Sequence, residues 1–81
     1  MNKQDKEIYG LLTDLKKRGE VFNKMVGTIY PGICAEDMNK IMYKLEHKFH
    51  IDVKWRQPSL HHIEFINLDN LIEKYGNKNS K

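Results

Sequence analysis

Disulfides cannot hold this chain together, because its 81 residues include a single cysteine, Cys34. One thiol fits a reducing compartment, and a cytoplasmic protein is the expectation. No stretch approaches the roughly 20 apolar residues of a membrane span, so a membrane is not an expected partner. The opening MNKQDKEIYG is polar and mixed in charge, without the apolar centre of a signal peptide. Glycine-rich phosphate loops, nucleophile elbows and carboxylate pairs set apart from lysines are also missing. The size is near the lower limit of a self-sufficient core. Neither an enzyme activity nor a cofactor is expected. Metal-ligand spacing is wanting too. His47 and His50 stand three apart, with His61 and His62 further on, in no recognised zinc pattern. Cys34 lies at the other end of the same helical segment, about 20 Å from His50 by helical rise. It reads as a small core hydrophobe, and no metal site is expected. Repeats, low-complexity tracts and linkers are absent.

What is present suits one small globular domain. A hydrophobic fraction of 40% and a charged fraction of 31% lie outside the range of disorder. Residues 1–76 are expected to form that domain, with 77–81 as a disordered tail. The net charge is +3 and the pI about 9.0, compatible with a polyanionic partner where the cations cluster. The richness in Lys, Asn, Ile and Tyr is that of an AT-rich coding genome, as in low-GC bacteria or their phages.

Hydrophobic spacing organises the chain. Ile8, Leu11, Leu12 and Leu15 mark one face of a first helix, with acids near its start, Lys16, Lys17 and Arg18 near its end, and Gly19 as the expected stop. Gly10 inside it suggests close approach of a neighbour. Val21, Phe22, Met25 and Val26 predict a short second helix, and Pro31-Gly32 predicts a turn within a loop whose Ile29 and Ile33 touch the core. Cys34, Met38, Ile41, Met42, Leu45 and Phe49 stripe a long third helix with Glu36 and Asp37 in its first turn. Alternation on both sides of Pro58-Ser59-Leu60 predicts an antiparallel hairpin over 51–66. The expected register pairs Trp55 with Ile63, Val53 with Phe65 and Lys54 with Glu64. Asn67 is the expected N-cap of a last helix striped by Leu68, Leu71, Ile72 and Tyr75 and stopped by Gly76. The fold class is α+β, in the order helix, short helix, long helix, hairpin, helix.

That order of elements resembles the winged helix-turn-helix superfamily over about residues 5–66. The resemblance implies that the helix 35–49 enters the DNA major groove and that Gln57–His61 form the wing tip. The connection 27–34 departs from the superfamily by exceeding its tight turn. Independently, Lys40, Tyr43, Lys44, His47 and Lys48 project together from the long helix, opposite its apolar stripe. Lysines interspersed with a tyrosine and a histidine suit phosphate contacts as well as an ordinary solvated face. The hairpin adds Lys54, Arg56 and Gln57; Arg56 would reach a phosphate or the minor groove, while Lys54 could equally pair with Glu64.

Two functions remain open, with nucleic-acid binding favoured and the other its alternative. One is a DNA-binding transcriptional regulator, using the basic helix and the wing on double-stranded DNA. It would be dimeric through Leu11, Leu12, Leu15 and Leu68, Leu71, Tyr75 where those stripes are not used within the monomer. The other is a small phage or mobile-element protein that modulates a host protein through Tyr30, Tyr43, Trp55 and Leu60. Trp55 itself reads either as a core residue of the hairpin or as an interface anchor.

Overall fold

A computed structural model describes residues 3–24, 31–59 and 62–79. Its order is α1 (Lys3–Lys24), α2 (Pro31–Phe49), β1 (Trp55–Ser59), β2 (His62–Phe65) and α3 (Leu68–Asn79). The α+β class and the hairpin between the long helix and the last helix are as expected.

The two helices expected before residue 27 form one helix, α1, which does not stop at Gly19. Its buried residues Ile8, Leu12, Leu15, Gly19 and Phe22 are spaced four, three, four and three apart, a single stripe in which Gly19 takes a core position. A Cβ at Gly19 would stand 2.5 Å from the Phe65 ring. The glycine is therefore a notch for that ring, not a helix stop. Gly76 shows the same logic: α3 passes through it to Asn79, and a Cβ there would come within 3.1 Å of the Tyr9 ring. Residues 77–79 are thus helical, where a frayed tail was expected. Gly10, by contrast, has no heavy atom within 4 Å of where a Cβ would sit, so it marks no close approach.

Pro31 opens α2 instead of turning a loop. The first helical position suits proline, whose missing N–H would have no partner there. The remainder of the expected loop, with Ile29 and the interface candidate Tyr30, lies outside the described residues, as do Met25, Val26, Leu60 and His61. α2 ends where His50 adopts φ 57°, the left-handed conformation. The His50 N–H donates to the Glu46 carbonyl at 3.1 Å, and the Ile51 N–H to that of Leu45 at 2.9 Å.

α1 is the central strut, packing against α2, α3 and β2. Arg18 joins Asp14 of its own helix to Asp37 of α2, with Nη1 2.8 Å from Asp37 Oδ2, and Lys16 Nζ reaches Asp69 of α3 at 2.9 Å. Glu7, near the start of α1, meets Lys44 and Lys48 near the end of α2. α2 and α3 therefore both run antiparallel to α1. Leu12, Leu15 and Leu68 are fully buried between these helices, and Leu11, Leu71 and Tyr75 pack beside them. Of the stripes put forward as a dimer seam, Leu12, Leu15 and Leu68 are used within the monomer and Leu11, Leu71 and Tyr75 are partly buried there. Burial of each such leucine contributes about 1.5–3 kcal/mol before the entropy of ordering is counted.

The hairpin register differs from expectation. Trp55 pairs with Phe65 and Arg56 with Glu64, and an irregularity then brings Ser59 opposite His62. A two-residue shift keeps every side chain on the same sheet face, so the apolar alternation fits either register. Contacts with α1 select one: Phe65 enters the Gly19 notch, and Asn23 grips Ile63. The Asn23 side chain donates from Nδ2 to the Ile63 carbonyl at 3.0 Å and accepts the Ile63 N–H at Oδ1, 2.8 Å. Arg56 opposite Glu64 adds a cross-strand pair of opposite charge.

Asn67 does not cap α3 with its side chain. Its Oδ1 accepts the Lys54 N–H at 2.7 Å and its Nδ2 donates to the Asp52 carbonyl at 2.9 Å. This clamp fixes the extended segment 51–54, with Ile51 and Val53 buried, alongside the helices.

Candidate functional site

The exposed arc of α2 has two edges with different chemistry. On the edge toward α1, Lys44 Nζ and Lys48 Nζ lie 3.3 and 3.4 Å from Glu7 Oε1. Lys44 acts first, with Lys48 in support, to hold the Glu7 carboxyl below its ordinary value; desolvation opposes them. Lys40 lies 3.6 Å from Glu36, one turn earlier. His47 stacks on Tyr43 with ring centroids 4.0 Å apart, and Lys48 Nζ sits 5.2 Å from the centre of the Phe49 ring. The basic row expected from the sequence is thus exposed and together on one helix, with its three lysines each beside a carboxylate.

The other edge of α2 faces segment 52–55. Here Tyr43, Met42, Asn39 and Glu46 of α2 meet Asp52, Val53 and Trp55 around a groove of about 250 Å³. Tyr43 is 65% exposed and Trp55 43% exposed. Trp55 is therefore not a core residue. The hairpin register places it on the inner sheet face but at the sheet's margin, where it covers only part of α2. A smaller recess of about 70 Å³ continues beneath it, lined by Gln57, Met38, Phe22 and Ile63 among others.

The remaining hairpin candidates point elsewhere. Arg56 is opposite Glu64 and hydrogen-bonds to it through Nε. That contact, with Arg56 first and His62 also contributing, lowers the Glu64 carboxyl from its usual range against desolvation. Lys54 has an exposed side chain and does not pair with Glu64, because the register gives that place to Arg56. The hairpin cations therefore flank a different surface from Lys44 and Lys48, while Trp55 and Gln57 border α2. No group of three or more potential metal ligands occurs among the described residues. No helix among them is long and apolar enough to cross a membrane.

Glu46, Asp52 and Asn39 were not among the residues singled out from sequence, and Met42 was read only as part of the apolar stripe. Asn39, Tyr43 and Glu46 are spaced four and three, so their shared edge was readable. The apposition of segment 52–55 against that edge was not, because it depends on the distant Asn67 clamp. No family model matches the chain, and neither a curated protein nor a solved structure matches it.

Proposed function

We propose that this protein works by docking onto another protein through the edge of α2 that faces the hairpin. The observation that carries the reading is the pair of exposed aromatics, Tyr43 and Trp55, lining one groove above the apolar Met42 and Val53. Exposed aromatic side chains supply large contact areas at small conformational cost and are frequent anchors of interfaces. The proposed activity is recognition alone.

The experiment is selection of displayed random peptides on the immobilised full chain, with Tyr43→Ala and Trp55→Ala variants as counter-selection. Peptides that bind the wild type and lose both variants support the docking reading. Peptides indifferent to both substitutions, or none enriched, overturn it.

DNA binding is the second reading, favoured by one observation: Lys40, Tyr43, Lys44, His47 and Lys48 are all exposed along α2. Exposed lysine–carboxylate pairs are worth about 0–1 kcal/mol, so phosphates could displace Glu7 and Glu36. Fluorescence anisotropy of a mixed-sequence duplex at about 50 and 200 mM salt tests it, because phosphate contacts weaken steeply across that range. Replacing Lys40, Lys44 and Lys48 with Gln should abolish such binding. Full retention by the triple variant would remove α2 as the DNA-contacting helix.

A further inference from the structure

We infer that the groove between α2 and segment 52–55 accepts an arginine side chain from a basic segment of the partner, an inference that rests on the docking reading above. The chain carries net charge +3, yet no lysine or arginine among the described residues lines this groove. Its two sides each supply a carboxylate, Glu46 from the helix and Asp52 from the extended segment. Both are exposed. Glu7, Asp14, Glu36, Asp37, Glu64 and Asp69 all stand in ion pairs. Glu46 and Asp52, like Glu20 and Glu73, form none with another described residue; what distinguishes them is that they line one groove together.

The walls between those carboxylates choose the kind of cation. Tyr43, whose ring stacks on His47, and Trp55 line the groove with aromatic side chains, and Met42 and Val53 add apolar ones. A guanidinium is planar, weakly hydrated and rich in donors. It stacks on aromatic rings and hydrogen-bonds carboxylates at its edge, where a compact ammonium needs more of its water. A volume of about 250 Å³ is below the roughly 300–1,000 Å³ of small-molecule pockets, and suits one long side chain on a peptide backbone that runs across the opening. Phosphates would meet two carboxylates here, so this edge of α2 is unsuited to nucleic acid.

Trp55 is the sole tryptophan, and its emission reports on the groove directly. The full chain is titrated with synthetic peptides of one apolar frame that differ only in a central Arg, Lys, Gln or Glu. The Arg peptide is expected to shift Trp55 emission at about tenfold lower concentration than the Gln peptide, with Lys between them and Glu weakest. In the Glu46→Gln/Asp52→Asn double variant, the Arg peptide should fall to the level of Gln while the Gln peptide is unchanged. Both substitutions are on exposed side chains, and the urea midpoint of the variant verifies its fold. Equal response to Arg and Gln, or a preference for Glu, overturns the arginine inference. Docking survives that outcome where the Gln peptide still saturates and is lost in Tyr43→Ala. Silence toward every peptide also overturns the inference, and the library selection then decides docking separately.

Discussion

At the scale of single residues, three helical glycines have surroundings that their helical setting does not announce. Gly10 is open, Gly19 faces the Phe65 ring and Gly76 faces Tyr9. Gly10→Ala should raise stability by up to about 1 kcal/mol, the helix propensity difference. Gly19→Ala gains the same propensity but must displace an aromatic ring, and overpacking of this kind costs about 1–3 kcal/mol. Urea midpoints of the two variants should therefore move in opposite directions; a gain in both would refute the notch. His50 is a further case. As a non-glycine residue at φ 57° it carries the left-handed penalty of about 1–2 kcal/mol, and His50→Gly should recover part of this as a higher thermal midpoint. Of these features, the place of Gly19 in the stripe from Ile8 to Phe22 was misread from sequence as a helix stop, although its four-three spacing fits one continuous helix. What lay opposite it was not legible, since Phe65 is forty-six residues away along the chain by their numbering.

At the scale of elements, charge pairs flank the apolar packing of the helices on α1. Glu7 ties its start to the end of α2 through Lys44 and Lys48, and these cations depress its carboxyl below the ordinary 4.5. A carboxyl with a lowered folded pKa binds fewer protons folded than unfolded across that range. The contribution is fully present above the ordinary value and disappears as pH falls through the folded one. Glu7→Gln should flatten the acid side of a plot of urea midpoint against pH, most clearly from about pH 5 downward. An unchanged acid limb would show that the pair does not couple to folding. Lys16 shifts the other way: Asp69 raises its pKa, so that contribution holds below the ordinary lysine range and fades as pH rises through the folded value. The long helix, the hairpin and the last helix were legible because their apolar spacing is local. The hairpin register was not. Alternation with period two permits both pairings, and the selecting groups, Gly19 and Asn23, belong to another element.

At the scale of the whole molecule, α2 divides its surroundings by charge. Toward α1 its lysines meet Glu7; toward the hairpin its glutamate and the Asp52 carboxylate remain free of cations among the described residues. The basic row read from sequence was real as a helix face, but its partition between two neighbours was invisible without the tertiary arrangement. One further consequence follows from the grip of Asn23 on Ile63. A two-stranded sheet has two outer edges on which a stranger's backbone could add itself. On β2, a single carboxamide occupies the Ile63 N–H and carbonyl, as the peptide group of a third strand would. β1 includes Pro58, which has no N–H to offer. Asn23→Ala should cost about 1–3 kcal/mol from unsatisfied backbone groups, and sedimentation of the folded variant should show association that grows with concentration. A stable variant that stays monomeric would refute this role. The amide of Asn23 is, on this view, a guard against aggregation: it denies a growing fibril the first rung of its ladder.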